Sequence, residues 1–189
     1  MTRPFDIGQA LQAGWEAFAR EAVPLVVGTI IYVLVVALSL GLLAGPMTLG
    51  LVDMAMRAVR GERLEIGDIF SGFNRFGPSF LLTLLLFAGV AIGTILCVLP
   101  GLFLGIAWTW SFFYMAAGDS DPVSCLKRSY NLTLENLGAV IVFLLVGYIL
   151  QYAGSLVAIG SLVTMPLGYA MMAAGFESAT SRETPLPVV

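Results

Sequence analysis

The 189-residue sequence contains no histidine, only two cysteines and few charges. The lack of histidine excludes imidazole metal ligands, histidine-ligated haem and histidine-based proton transfer. Cys97 and Cys125 are too few for a disulfide framework or for a zinc site without histidine, so they are interpreted as small apolar residues. No catalytic residue, metal or cofactor is therefore expected.

Charged residues make up 11% of the sequence, against about 25% in a soluble domain. Hydrophobic residues make up 59%, and the mean hydropathy is +0.95. This balance predicts a protein whose first partner is the lipid bilayer. The nine basic residues are scattered and the net charge is −3, so no nucleic-acid binding is expected.

Apolar runs predict an all-α integral membrane protein with six transmembrane helices in three hairpins. A bilayer core about 30 Å thick needs about 20 helical residues at 1.5 Å per residue. Turns are predicted at Gly45-Pro46, at Pro100-Gly101 and at 158–161. The predicted spans are 22–44, 46–59, 78–99, 102–117, 137–158 and 161–176. The second span is short, and whether 46–60 crosses the bilayer fully stays open.

The basic residues predict which side of the membrane each link occupies. All nine lie near the ends of the chain or near the links 57–75 and 118–136, away from the three predicted turns. Lysine and arginine collect on the cytoplasmic flanks of membrane spans. Both termini are therefore expected in the cytoplasm, with the tight turns on the outside.

An interfacial amphipathic helix is predicted before each hairpin, which suggests a threefold internal repeat. The first such helix starts at Asp6, as N-cap, and the third at Asp121-Pro122. A small residue followed by an aromatic one recurs at intervals of 58 and 57 positions: Gly14-Trp15, Gly72-Phe73 and Ser129-Tyr130. The predicted units are 5–60, 65–117 and 121–178 of a single polytopic domain, 1–178, with a flexible tail at 179–189.

Asp53 is the one acidic residue inside a predicted span. An ionisable group at membrane depth is costly and indicates a proton or cation site. The alternative is an ion pair with Arg57, one helical turn further on. Gln151 adds a polar group to the fifth predicted span. Asp53, Arg57 and Gln151 are therefore a candidate intramembrane polar site, and both interpretations stay open.

Two further groups of residues have predicted roles at the surface and between the helices. Arg60, Arg63, Lys127 and Arg128 are candidate contacts for anionic lipid headgroups, or serve only to orient the protein. Glycines spaced by four residues let helix backbones approach closely, and they predict packing at Gly41, Gly45, Gly89, Gly93, Gly101 and Gly105. Trp108 and Trp110 are predicted to lie in an interfacial aromatic belt.

Several short stretches resemble bacterial membrane proteins of unknown function. They are Arg57-Ala58-Val59-Arg60-Gly61-Glu62, Asp68-Ile69-Phe70, Val98-Leu99-Pro100-Gly101-Leu102 leading into Trp108, Cys125-Leu126-Lys127-Arg128-Ser129, Glu135-Asn136 and Gly160-Ser161-Leu162-Val163-Thr164-Met165-Pro166. The resemblance is to YciC-like proteins and to the membrane domain of some glycerophosphodiester phosphodiesterases, over residues 5 to 178. It implies a multi-pass protein of the bacterial inner membrane, loosely associated with phospholipid metabolism, and it supplies no site residue.

Two functions are compatible with these patterns. The first is a non-catalytic bundle that organises the membrane, binds lipid headgroups, or binds a second copy of itself or another membrane protein. The second is a small transporter or channel that uses Asp53 and the polar residues of the fifth span.

Overall fold

The structure is a computed structural model that describes residues 7–155 and 160–180. Every regular element in these two ranges is helical, so the all-helical prediction is confirmed. The elements are α1 (Ile7–Arg20), α2 (Ala22–Leu38), α3 (Ala44–Val59), the 3-10 helix η1 (Ile66–Arg75), α4 (Phe76–Leu96), α5 (Val98–Ala107), α6 (Ser111–Ala116), α7 (Pro122–Glu135), α8 (Leu137–Ser155) and α9 (Gly160–Thr180). The predicted cap at Asp6, the centre of the third turn and the tail from residue 181 lie outside the described residues.

Two helical stretches are long and apolar enough to cross a membrane, Ile66–Leu96 and Val98–Ala116. The number rises to four if each of two bent pairs counts as one span. These pairs are α1 with α2, bent by 89°, and α7 with α8, bent by 100°. In both pairs a polar-faced helix turns through about a right angle into an apolar one, as a helix on a membrane surface would where the chain enters the bilayer.

Prolines mark the starts of the apolar helices, and they correct two predicted turns. Pro24, Pro46, Pro78 and Pro100 are each the third residue of their helix. The first four N–H groups of a helix have no intrahelical acceptor, so a residue without an N–H is tolerated there. The turns predicted at Gly45-Pro46 and Pro100-Gly101 are therefore wrong by a few residues.

The observed turns lie just before those positions. The first occupies residues 39–43, where Leu40 and Gly41 have φ angles of 51° and 85°. The second is a single extended residue, Cys97, with φ −170° and ψ 140°. Both turns join antiparallel neighbours, because α2 packs on α3 and α4 packs on α5.

Helix α3 lies at the centre of the described molecule, and its side chains are buried on nearly every side. Leu49, Leu51, Val52, Met54 and Ala55 have no exposed surface. The helix contacts α1, α2, η1, α4, α6 and α9. In contrast, α4 and α8 keep many apolar side chains exposed, among them Leu84, Phe87, Ile95, Leu145 and Ile149. A soluble protein rarely exposes so much contiguous apolar surface, whereas lipid covers it at no cost.

The predicted fourth span is divided into α5 and α6 by a turn at residues 108–110. Trp110 is 1% exposed there and packs against Phe113, Phe143 and Phe176, with ring centroids 5.6 to 6.2 Å apart. The prediction of an interfacial position for Trp110 is therefore wrong, because the turn directs the ring into a core shared with α8 and α9. Trp108 is half-buried against Gly89 of α4.

Candidate functional site

Asp53 lies on α3 and is half-buried, facing the 3-10 helix η1. Its Oδ2 accepts a hydrogen bond of 3.0 Å from the Oγ of Ser71. Arg57, the expected partner, forms ion pairs instead with Glu62 at 2.8 Å and with Asp68 at 3.0 Å. The ion pair between Asp53 and Arg57, one of the two interpretations of the sequence, is therefore not formed, because the link after α3 folds back and brings two other carboxylates to the guanidinium.

Gln151 lies on α8, where it is exposed. Helix α8 packs on α9 and α7, whereas Asp53 faces η1 from the central helix. The three residues of the predicted intramembrane polar site are therefore distributed over separate surroundings. Among them, only Asp53 and Arg57 share a helix, and each has its own partners.

The four candidate headgroup residues divide into two pairs. Arg60 forms an ion pair with Glu177 of α9 at 2.6 Å, and Arg128 lies 3.8 Å from Asp119 and 4.5 Å from the centre of the Tyr114 ring. Arg63 and Lys127 are exposed, and neither forms an ion pair with a described residue. The second pair therefore keeps its charge available to an external anion.

Of the six glycines predicted to pack, four lie where helices touch. A Cβ at Gly45 would lie 2.6 Å from the Ser79 carbonyl oxygen of α4, and one at Gly93 would lie 3.0 Å from the Cα of Gly101. Gly101 and Gly89 meet Thr94 and Trp108 across the same α4–α5 contact. Gly41 lies in the first turn, and a Cβ at Gly105 would meet no described atom within 4 Å. The packing role predicted for Gly41 and Gly105 is wrong.

Three contacts, which we call seams, join the three helices predicted to lie at the membrane surface, α1, η1 and α7, to the other described helices. The first seam is α1 on α9, the second is η1 on α3, and the third is α7 on α5 and α6. In each seam, the helix packs mainly on helices other than the apolar one that follows it in sequence.

The matching small residues Gly14, Gly72 and Ser129 lie in these three seams. A Cβ at Gly14 would overlap the backbone of Met171, and one at Gly72 would overlap the Pro46 carbonyl oxygen and lie 2.8 Å from the Gly50 nitrogen. Ser129 acts differently. Its Oγ donates a hydrogen bond to the Ala107 carbonyl oxygen at 2.8 Å and accepts one from the backbone N–H of Trp110 at 3.1 Å. The first two seams are backbone contacts, whereas the third is bridged by a hydroxyl.

Two arginines occupy equivalent places at the ends of the first two surface helices. Arg20 is the last residue of α1 and donates to the Ala58 carbonyl near the end of α3. Arg75 is the last residue of η1 and donates to the Met115 carbonyl near the end of α6. Carbonyls at a helix C-terminus lack intrahelical donors, so a cation stabilises them. The third surface helix, α7, ends instead with Glu135.

Beside the third seam, a cleft of about 510 Å³ opens between α5 and α7. Leu104 of α5 and Trp108, directly after that helix, form one wall. Val123, Leu126, Lys127, Tyr130 and Asn131 form the α7 wall. Lys127 carries the only charge in this lining. The sequence indicated Lys127 as a candidate headgroup residue, but the cleft depends on the relative position of two helices and has no local signal.

Cys125 is buried on the opposite side of α7, next to the N-cap of that helix. The predicted cap is confirmed, since Asp121 accepts from the N–H groups of Val123 and Ser124. Burial, with smaller effects from the charges of Asp119 and Asp121, raises the pKa of the Cys125 thiol to about 12. Within 7–155 and 160–180, no three side chains of the metal-binding types cluster closely enough to hold an ion.

Comparison with known proteins gives distant relatives. The chain is 25% identical to the uncharacterized protein Rv2560 of Mycobacterium tuberculosis over 209 aligned positions, which cover 82% of this chain and 64% of the relative. The uncharacterized protein Mb2590 of Mycobacterium bovis matches to the same extent. The chain thus spans slightly less than two thirds of the length of these curated relatives. No protein-family model and no solved structure matches the chain. The resemblance to YciC-like proteins stays a prediction.

Proposed function

We propose that this chain is a multi-pass protein of the bacterial inner membrane that organises or binds anionic lipid at its cytoplasmic face, without catalysis. The observation that carries the proposal is the pairing of exposed apolar helices with surface helices bent away from them by 89° and 100°. Arg63 and Lys127, on the charged side of this arrangement, have no ion pair with a described residue. A cation near an anionic leaflet contributes about 1 kcal/mol of attraction.

The proposed architecture has three repeated units and six spans, with both termini in the cytoplasm. Each unit consists of a surface helix, a span, an outer turn and a returning span. The support is the set of three seams, which relate the units in cyclic order, and the matching Arg20 and Arg75 caps. Repeats of this kind are frequent in membrane folds.

A cysteine-labelling experiment tests the topology. The native Cys97 is first replaced by alanine, and the buried Cys125 is retained. Leu42→Cys then places an exposed thiol in the first turn, and Ser120→Cys places one in the link before α7. A membrane-impermeant maleimide is expected to label Leu42→Cys in intact cells and Ser120→Cys only after permeabilisation. Equal labelling of both variants in intact cells would contradict the topology.

The lipid role has its own test. Purified protein is expected to melt at a higher temperature in nanodiscs that contain phosphatidylglycerol than in nanodiscs of phosphatidylcholine alone, because ligands of the folded state stabilise it. Addition of salt should reduce the difference, since exposed charges are screened within about 8 Å at physiological ionic strength. Identical melting temperatures in the two lipids, together with no self-association, would argue against an organising role.

A second candidate function, transport of a proton or small cation, is supported by one observation. Asp53 is a half-buried carboxylate whose hydrogen-bond donor is the neutral Ser71, and Arg57 is paired elsewhere. Asp53→Asn keeps the shape and the acceptor oxygen but removes the charge. Proton flux into liposomes is expected to fall in this variant if transport is the function and to stay unchanged if Asp53 only joins η1 to α3.

A further inference from the structure

The cleft between α5 and α7 lies in the third proposed unit, which departs from the first two there in both shape and charge. In the first two seams, Gly14 and Gly72 allow backbone contact. In the third seam, the Ser129 hydroxyl bridges to Ala107 and Trp110, and the cleft lies beside it. A departure from an internal repeat indicates a position that serves something other than the packing common to all units.

Charge follows the same division. The positions that match Lys127 in the first two units, by the spacing of the repeat, are Gln12 and Phe70. The Nε2 of Gln12 donates a hydrogen bond of 3.0 Å to the Oε1 of Glu16 on the same helix. Lys127 is exposed and forms no ion pair with the part of the chain that is described. At this position of the repeat, the cation is therefore found beside the cleft and not in the first two units.

The two walls of the cleft match a phospholipid chemically, because one wall is apolar like an acyl chain and the other carries polar groups that can bind a headgroup. Leu104 lies on α5 and Trp108 lies four residues later, in the turn that ends α5, and both belong to an apolar stretch able to cross a membrane. Lys127, Tyr130 and Asn131 lie on the surface helix α7 and offer one cation, one hydroxyl and one amide. A lysine can lay its methylene stem along apolar surface while its ammonium group stays at headgroup level. Tryptophan and tyrosine favour the same boundary.

We propose that this cleft holds one anionic phospholipid, whose phosphate is bound by Lys127 and whose acyl chain lies against Leu104 and Trp108. The occupant is a lipid rather than a peptide helix because an apolar wall continues into a membrane-spanning stretch on one side and a single cation stands on the other. The proposal rests on the proposed function, since it names the site at which that lipid interaction takes place.

The experiment is a lipid titration of the full chain, followed by native mass spectrometry, with phosphatidylglycerol as the anionic probe and phosphatidylcholine as the neutral one. Lys127→Gln is expected to weaken retention of phosphatidylglycerol by about fivefold, the effect of removing one cation near an anionic lipid. Lys127→Arg should restore most of it. Arg63→Gln is the comparison variant, because it removes an equally exposed cation from the link before η1, outside the cleft. It should lower retention by less than Lys127→Gln does, and an equal loss in the two variants would overturn the cleft assignment.

A second variant tests the cleft without changing any charge. Val123 is 46% exposed on the α7 wall, so Val123→Trp can fill the cleft without entering the core. It should reduce retention of phosphatidylglycerol while leaving the melting temperature within error.

The outcomes distinguish the cleft proposal from the proposed lipid-binding function on which it rests. If the unaltered chain prefers phosphatidylglycerol but Lys127→Gln and Val123→Trp retain it as strongly, the cleft assignment is overturned and the lipid-binding function stands. If the unaltered chain shows no preference, both proposals are overturned. If Val123→Trp dissociates a dimer while lipid retention is unchanged, the cleft belongs to a second copy of the chain, which also overturns the lipid assignment.

Discussion

Gly72 lies where η1 crosses α3 at backbone distance, and a Cβ there would overlap the Pro46 carbonyl oxygen. Its counterpart in the first seam is Gly14, which lies directly on the backbone of Met171. The sequence pattern selected both residues only as markers of a repeat. Their physical role is that only a residue without a side chain fits between the two backbones.

Gly72→Ala is expected to lower the free energy of unfolding by about 1–3 kcal/mol, the usual cost of forcing an extra methyl group into a packed contact. The matched control is Gly67→Ala on the same 3-10 helix, where a Cβ would meet no described atom within 4 Å. The measurement is thermal unfolding in detergent. Equal melting temperatures for the two variants would show that η1 does not pack on α3 at this distance.

Cys125 is expected to resist maleimide between pH 7 and 9 in the folded protein. With a thiol pKa of about 12, only about one molecule in ten thousand carries the thiolate at pH 8, and the thiolate is the reactive form. The exposed Cys97 is the internal comparison. Mass spectrometry should find the label on Cys97 alone until detergent denaturation releases Cys125. Rapid labelling of native Cys125 would contradict its burial.

The same thiol makes stability depend on alkaline pH. The folded-state pKa is raised above the ordinary value of 9.0, so the folded chain keeps a proton that the unfolded chain loses. The contribution of the protonated Cys125 thiol to the stability of the folded state is complete below pH 9. It is lost as the pH rises towards 12. Cys125→Ser, whose hydroxyl does not titrate, should show a smaller fall of melting temperature in that window.

Among the elements, the division of a predicted span into α5 and α6 has the largest effect on the site. The turn at 108–110 brings Trp110 into the aromatic core and turns Trp108 towards α4 and the cleft. It also leaves backbone groups of Ala107 and Trp110 without helical partners, which Ser129 satisfies from α7. The Ser129 hydroxyl therefore bonds both sides of the break, and Thr133 adds a second donor to the Ala107 carbonyl.

Ser129→Ala is expected to lower the free energy of unfolding by about 1–3 kcal/mol, because the buried backbone N–H of Trp110 then loses its acceptor. The Ala107 carbonyl keeps a 3.3 Å bond from Thr133, so the loss falls mainly on Trp110. Tryptophan fluorescence during thermal unfolding measures the change. Ser120→Ala, at an exposed position of the preceding link, serves as the control. A loss no larger than in that control would mean that Ser129 does not stabilise the break.

The sequence predicts the helices well and their ends less well, for a physical reason. Apolar runs and the Asp121-Pro122 start are local signals, and they place the helical segments correctly. The positions of the turns between helices depend on how many residues of a helix can precede a proline in its first turn. The partners of Arg57 and the burial of Trp110 depend on which segments fold back on each other. The cleft at Lys127 depends on the distance between two helices, which no local pattern specifies.

At the scale of the whole molecule, the three seams connect parts of the chain that are distant in sequence. Helix α1 packs on α9, α3 packs on both η1 and α9, and Arg60 of the first link pairs with Glu177. Helix α9 is therefore held by α1 and α3 as well as by its neighbour α8. The central α3 contacts six other helices.

A chain divided between Gly118 and Asp119 is consequently expected to reassemble. When the two parts are expressed together, a tag on residues 1–118 should recover residues 119–189 from detergent extracts. The contacts of α9 with α1 and α3, and of α7 with α5 and α6, supply the packed surface. Gly14→Leu, which closes the first seam to α9, should reduce recovery. If no second part is recovered, the seams are too weak to hold the units together.

The prolines at the third position of four helices have a consequence for how such a chain tolerates changes in length. Each proline fixes where its helix begins, because the helix cannot extend far backwards past a residue without an N–H. An added residue in the preceding link is therefore taken up by the link. An added residue beyond the proline rotates the rest of the helix by about 100°. Insertions are expected to be tolerated in the turn 39–43 before Pro46 and rejected after it.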